Sequence, residues 1–332
     1  MKCKRLLTAA LVMAISVGTL AGCAGTETAF PDPEKTITLI VPQAAGGGTD
    51  TQARQLVEAM KEVSGNKNII VENVTGGSTG TGTNQVIDSE ADGYTLLMYG
   101  TYVICGTMTG YTDGYKGLDF LNGLSMEPFV LAVNADSPYQ TFGDLVDAAK
   151  KNSGSLTLGN AGATATTGVV AYGLNNALET PFNVVSFNGG AELIPAVLGG
   201  HCDAGIFSQS EVLSNVDGLR PLVFFGEGHS VLEELKEVPN LADAGYPDLT
   251  VPGGCFRGIC APKGTPEEVK TYLADMIEKA YKTEIFQNFM KEQGLLEDYS
   301  KLEEFEKYNE NMIEAMKPIV KATGLAVGEY AE

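Results

Sequence analysis

Residues 37–60 read as one strand–loop–helix unit, and few folds accommodate it. Ile37, Leu39, Ile40 and Val41 form an apolar, β-branched run, the mark of a buried strand. The run stops at Pro42 and passes into Gln43, Ala44, Ala45, Gly46, Gly47 and Gly48, which are too small to fill the space beyond a strand. Ala53, Leu56, Val57 and Met60 then fall at helical spacing, with Thr49 or Asp50 as the expected cap. A strand, a glycine loop and a helix N-terminus in that order make an anion site. Unpaired backbone N–H groups point out of the helix, its dipole favours negative charge, and absent side chains let a ligand approach. The unit reads as half of a clamp for a small carboxylate.

The chain has 332 residues, 40 of them glycine, with 44% hydrophobic content, which suits two α/β lobes better than one small core. Its formal charge of −20 and lack of polybasic runs disfavour a nucleic-acid partner. Lys2, Lys4 and Arg5 precede an apolar run over residues 6–20, short for a membrane span. Leu20-Ala21-Gly22-Cys23 follows and resembles a bacterial lipobox. The expected reading is a signal peptide over 1–23, Cys23 as the lipid-modified first residue and a tether over 24–34. An uncleaved signal anchor is the alternative, disfavoured by the length of the run. Cleavage removes three basic residues and no acidic one, taking the charge from −20 to −23. The expected location is extracytoplasmic, lipid-anchored to the membrane. Cys105, Cys202, Cys255 and Cys260 lack zinc-ligand spacing with partners, and the chain has two histidines, so no metal or cofactor is expected. Cys255 and Cys260 either bridge or stay buried thiols.

Strands running into small-residue loops recur along the chain. Residues 68–72 lead into a loop with Gly77, Ser78 and Thr79, and residues 94–99 lead to Gly100 and Thr101. A strand over 129–133 precedes a helix opened by Thr141 and Asp144. Leu156-Thr157-Leu158 runs into Asn160, Ala161, Gly162, Ala163 and Thr164, followed by Val169, Val170, Leu174 and Leu178 at helical spacing. Residues 184–187 lead to Asn188, Gly189 and Gly190 and a helix from Ala191 to Leu198, and residues 204–207 end at Ser208-Gln209-Ser210. In open α/β sheets ligands bind beyond the carboxyl ends of the strands, where these loops lie. The repeat of the opening unit suggests two facing lobes, residues 35–130 with 252–332, and residues 131–251. Thr265 is expected to cap a helix with Pro266 at its first position, and Ser300 with Glu303 to open the last one.

Ile40-Val41-Pro42, then Ala45-Gly46-Gly47-Gly48-Thr49-Asp50 and Arg54, resembles the first strand and loop of the Bug-type receptors, the solute-binding proteins of tripartite tricarboxylate transporters. Val71-Glu72-Asn73, Asp92-Gly93-Tyr94-Thr95-Leu96, Gly199-Gly200 ahead of Asp203, Val238-Pro239 with Leu241, Ala244 and Gly245, and Ala261-Pro262-Lys263-Gly264-Thr265-Pro266 also match, in family order. Departures fall at Phe187-Asn188-Gly189 and Phe256-Arg257. The resemblance implies a two-lobed periplasmic-binding-protein fold of type II, two α/β domains joined by a hinge of crossing strands. It implies a receptor without catalytic activity that holds a di- or tricarboxylate or related organic acid by backbone amides, hydroxyls and ordered water. The ligand would be delivered to integral-membrane permease subunits of the transporter, and a monomer is expected. On this sequence the ligand loops are residues 45–50, 75–79, 160–164 and 188–191, with Thr101, Gln209 and Arg257 added as cleft residues.

Other readings attach to the same residues. Gly46, Gly48 and Glu72 partly match a dinucleotide fingerprint, but Thr51 stands at the third glycine position. Residues 76–80 match G-x-S-x-G, so Ser78 with His201 or His229 makes a secreted surface esterase the runner-up. Arg257 either grips a ligand carboxylate bidentately or ties the crossing segments through an acidic neighbour. Asp50 either caps its helix or binds a ligand ammonium group. Tyr99 and Phe187 either line the cleft or pack in the core, the default for aromatics at strand ends.

Overall fold

A computed structural model describes residues 30–179 and 182–332. The expected signal peptide, Cys23 and tether residues 24–29 lie outside the described residues. Residues 30–35 and residues 36–332 belong to separate units. In the first, Asp32 organises a turn by accepting from Lys35 N (3.1 Å) and Glu34 N (2.9 Å). No described helix is long and apolar enough to cross a membrane.

In the second unit the elements follow as β1 (Ile37–Val41), α1 (Gly48–Ser64), β2 (Ile69–Asn73), α2 (Gly80–Ile87), β3 (Thr95–Gly100), α3 (Thr101–Met108) and β4 (Leu118–Asn134). Next come α4 (Phe142–Lys151), β5 (Thr157–Asn160), α5 (Thr166–Leu178), β6 (Asn183–Ser186), α6 (Gly190–Leu198), β7 (Ala204–Ser208), α7 (Gln209–Leu213) and β8 (Leu219–Phe224). The chain closes with β9 (Gly254–Pro262), α8 (Glu267–Tyr281), α9 (Glu284–Glu292), β10 (Leu296–Lys301) and α10 (Glu303–Ala322). The strand order is β2-β1-β3-β9-β4-β7-β5-β6, with β8 and β10 also paired to β4. β1 pairs in parallel with β2 and β3, and β5 in parallel with β6 and β7. Between these parallel groups, β9 and β4 run antiparallel to their neighbours.

β4 joins the two parts of the sheet. Its first eleven residues, 118–128, run along β9, and 129–134 run along β7 and β8. The sequence predicts only the segment 129–133. The earlier part carries buried Asp119, Asn122, Ser125 and Glu127, which erase the apolar pattern. Each of these needs a partner once covered: Asn122 Nδ2 donates to Tyr299 Oη (2.9 Å), and Asp119 Oδ2 accepts from Gly264 N and Thr265 N. Over 129–134 the period of two returns. Phe129, Leu131 and Val133 enter the larger core with Leu158 and Val169, and Val130 and Ala132 enter a second with Leu193 and Phe207.

Several local expectations are corrected. Gly47, not Thr49 or Asp50, is the N-cap of α1. Pro266 precedes α8, while Thr265 Oγ1 donates to Pro262 O (2.8 Å). Ser300 lies within β10, a strand absent from the sequence reading, and Leu302 precedes α10. Thr141 does cap α4, in a reciprocal box with Asp144. The four described cysteines are free, buried thiols. β9 separates Cys255 and Cys260 by five residues of extended chain, roughly 16 Å, whereas a disulfide needs Cα atoms within about 7 Å.

Candidate functional site

The carboxyl ends of β1, β5, β6 and β7 each open into a short loop and a helix N-terminus. Those loops meet around a cavity of about 30 Å³. Gln43, Ala44, Gly47, Gly48 and Thr49 line it from the β1 side, and Ala161, Ala165, Thr166 and Thr167 from the β5 side. Gly189 and Gly190 reach it after β6, and Ser208 and Glu211 at the end of β7. Tyr102, Phe129, Cys255 and Arg257 complete the wall. The first N–H groups of α1, α5 and α6 (three each in α1 and α5, two in α6, where Glu192 N donates to Gly189 O) lie outside their helices' own ladders, so the helix ends supply donors and partial positive charge.

One of those donors is already engaged. Gly48 N donates to Glu211 Oε1 (3.2 Å), and Ser208 N donates to Glu211 Oε2 (3.0 Å). Gly190 makes the approach possible, because a Cβ there would collide with the Glu211 carboxylate. Burial and the neighbouring Glu127 push the Glu211 carboxyl above its usual range, against those two donors and Arg257. The anion site legible in residues 45–50 therefore holds a carboxylate of the protein itself.

Behind the cavity lies a buried ion pair. Arg257 on β9 and Glu127 on β4 are bonded through Nη1 and Oε2, at 2% and 0% side-chain exposure. Arg257 also donates from Nε to Thr49 Oγ1 (3.1 Å), from Nη1 to Gln52 Oε1 (3.2 Å) and from Nη2 to Ser208 Oγ (3.4 Å). Four of its five N–H groups thus meet protein acceptors. Burial opposes the guanidinium charge, and Glu127 restores it. Of the two roles open in the sequence, tying the crossing strands through an acidic neighbour is the one these contacts describe. Gly48 packs here too: a Cβ would sit 3.1 Å from Glu127 Oε2 and 3.3 Å from Arg257 Nη2.

Of the sequence candidates, Gly47, Gly48, Thr49, Ala161, Gly189, Gly190 and Arg257 line the cavity. Several others hold the loops instead. Asp50 accepts from Gly46 N (2.8 Å), Arg54 Nε (2.9 Å) and Asn73 Nδ2 (2.9 Å). Burial raises its pKa, but these bonds outweigh burial and keep it below the usual carboxylate range. Asn160 Oδ1 accepts from Gly162 N, and Asn188 O accepts from Ala44 N (3.1 Å) across the site. Ala191 follows Gly190 in the first turn of α6, its N 3.9 Å from a Cβ placed on Gly47. Ala45, Gly46 and Gly77 are exposed, and Ala163 is half-buried. Thr101 Oγ1 accepts from Phe256 N (2.9 Å), Gln209 bonds Gly294 O and Ser230 Oγ, and neither lines the cavity.

Ser78 and Thr79 adopt left-handed backbone (φ 54° and 83°), rare for residues other than glycine. The turn presents Ser78 Oγ to Thr164 N, which donates to it at 3.0 Å. His229 faces Asp243 at the surface and His201 is exposed beside Gly199, while the hydrogen-bond partner of Ser78 Oγ among the described residues is Thr164 N and not a histidine. Thr51 Oγ1 donates to Gly48 O (3.0 Å), filling the third-glycine position of a dinucleotide loop. The sequence reading missed Gln43, Ala44, Tyr102, Phe129, Ala165, Thr166, Thr167, Ser208, Glu211 and Cys255. A signal existed for Glu211: Ser208-Gln209-Ser210-Glu211 has capping-box spacing, which places the Glu at a helix start.

The family model described as "Tripartite tricarboxylate transporter family receptor" matches residues 52–325. Protein BugT of Bordetella pertussis is 28% identical over 280 residues, covering 81% of this chain and 83% of BugT. The solved periplasmic binding protein BugD aligns with a TM-score of 0.82 at 24% identity, over 89% of this chain and 99% of that one. An R. palustris protein solved with adipate aligns at 0.81 and 21% identity, over the same shares. These two likenesses give the fold, the periplasmic-binding-protein architecture expected from the sequence. With its family model matched over most of its length, the chain belongs to the Bug-type receptors of the tripartite tricarboxylate transporter family.

Proposed function

We propose that this chain is a lipid-anchored extracytoplasmic receptor that captures a small carboxylate between two lobes and delivers it to a tripartite tricarboxylate-type permease, without chemistry of its own. The lobes are residues 35–130 with 252–332, and residues 131–251, and Cys23 carries the lipid. The observation behind this reading is the convergence of the α1, α5 and α6 N-termini on one cavity at the strands' carboxyl ends. The adipate in the R. palustris relative supports a dicarboxylate-sized ligand. A melting scan against di- and tricarboxylates tests the proposal. A ligand at 100 times its Kd adds about 2.7 kcal/mol of stability, a rise of several degrees. No shift with any small carboxylate would refute it, as would ester turnover abolished by Ser78→Ala. Anchoring is tested separately: Cys23→Ala should release the protein from the membrane fraction.

A further inference from the structure

A second, larger cavity lies where the chain crosses between the two parts of the sheet. Its volume is about 540 Å³, within the roughly 300–1,000 Å³ of small-molecule sites. Met126 of β4 and Met312, Met316 and Ile319 of α10 wall it on one side. Phe224, Phe225 and Val231, at and beyond the end of β8, wall it on the other, and the crossing strands contribute Pro128 and Gly254. Methionine side chains adapt to an occupant's shape. Two of the lining residues, Val231 and Leu296, are 69% and 40% exposed, so apolar surface stays open to solvent here. The polar side chains of Thr101 and Gln209 in this wall are bonded to Phe256 N, Gly294 O and Ser230 Oγ. Among the described residues Glu227 is the one carboxylate lining the cavity and no lysine or arginine lines it, while His229 faces a further carboxylate, Asp243 (3.5 Å).

This cavity and the one between the loops share a partition. Along β4, Met126 and Pro128 line the first, while Glu127 joins Arg257 behind the second and Phe129 lines it, as the alternation of a strand requires. A Cβ on Gly254 would collide with Glu127 O, so the crossing strands pack backbone to backbone. On the two-lobed reading, a rotation that parts the loops on one face of β4 narrows the space on the other. We propose that the larger cavity is a second binding site, for an organic cation with an apolar body, and that its occupant favours the closed receptor. The apolar walls take the body and Glu227 takes the charge, whereas an anionic head group would meet two carboxylates and no lysine or arginine. The site stands apart from the carboxylate-receptor reading, and only its effect on closure rests on that reading.

The test is calorimetric titration of the purified protein with three probes of one chain length: octyltrimethylammonium, 1-octanol and octanesulfonate. The cation should bind at one site per chain and at least tenfold tighter than the sulfonate. Ala315 is an exposed residue of α10 that lines the cavity, so Ala315→Phe fills the space without entering the core and should weaken the cation at least tenfold. Glu227→Gln should weaken the cation at least threefold and leave octanol unchanged. Sulfonate binding as tight as the cation's, or cation binding untouched by Ala315→Phe or by Glu227→Gln, overturns the site. For closure, the Thr164 and Gly48 amides, bonded to Ser78 and Glu211 across the cleft, should exchange hydrogen at least threefold more slowly with the cation bound, and the Leu145 amide of α4 at its former rate. Unchanged or faster exchange at the first two amides overturns the effect on closure and leaves the carboxylate reading to its own melting scan.

Discussion

Replacing Arg257 with Met would leave Glu127 fully buried, with only the Ser210 N–H and hydroxyl as donors. It would also remove the donors that Thr49, Gln52 and Ser208 now meet. Breaking a buried pair from one side costs about 3–5 kcal/mol, because the surviving charge is uncompensated. At roughly 2 °C per kcal/mol for a chain of this size, the melting temperature should fall by about 6–10 °C. Adding Glu127→Gln keeps an acceptor for Ser210 and removes the stranded charge, so the double variant should regain more than half of the loss. Urea unfolding followed by circular dichroism, run as a double-mutant cycle, measures the coupling. A loss below about 1 kcal/mol in Arg257→Met, together with a solute affinity reduced more than tenfold, would refute the reasoning. Arg257 would then be a ligand contact and not a strand tie.

Gly47→Val should abolish solute binding without unfolding the chain, because a Cβ there already lies 3.3 Å from Glu211 Oε1 and further branches enter the cavity; unchanged calorimetric affinity would remove this loop from the site. Hydrogen bonds from Lys282 and Lys301 hold the Glu278 carboxyl down to about 2 from an unperturbed 4.5. A lowered acid stabilises the fold above its unfolded value, and this contribution is lost as pH falls from 4.5 towards 2. Glu278 and Lys301 are 29% and 26% exposed and Lys282 is 64% exposed, so screening leaves at most about 1 kcal/mol, and Glu278→Gln should lose less stability than wild type over that window. Ser78→Ala removes the acceptor of the Thr164 amide, whose hydrogen exchange should accelerate several-fold with global stability little changed; undiminished protection would deny that contact a role in closure.

The β-strand-to-glycine-loop units were legible because local chemistry determines them. Pro42 ends a strand, glycines leave a gap, and apolar residues at helical spacing announce α1. The same is true of the Thr141 cap on α4. What escaped the sequence depends on neighbours distant in the chain. β4 reads as broken over 118–128 because the partners of its buried polar residues lie far off in the chain: α8, β10 and the 263–265 turn for Asn122 and Asp119, Gln52 for Ser125, and Ser210 and Arg257 for Glu127. Asp50 and Gln209 have the chemistry of ligand contacts, but Gly46, Arg54 and Asn73 hold the first, and Gly294 and Ser230 the second. Glu211 was passed over for the opposite reason. Its local role, starting a short helix, is ordinary, and only the fold brings it 163 residues back to Gly48.

The cavity's size bears on how such a receptor works. About 30 Å³ admits a water or two, whereas sites for small molecules run to about 300 Å³ and above, so a solute enters only when the facing loops separate. Among the described residues the hydrogen bonds that cross between them include Ala44 N to Asn188 O, Thr164 N to Ser78 Oγ, Gly48 N to Glu211 Oε1, Arg257 Nη2 to Ser208 Oγ, and Ser210 N and Oγ to Glu127 Oε1. At about 0.5–1.5 kcal/mol net each, they favour closure by several kcal/mol. A solute must therefore replace some of them with contacts made to both sides at once, and its differential affinity sets the closed population. Glu211 is the contact that a solute most directly contests. A ligand that pairs with it keeps the Gly48 bond and adds its own, whereas one that displaces it gives up part of what held the loops together.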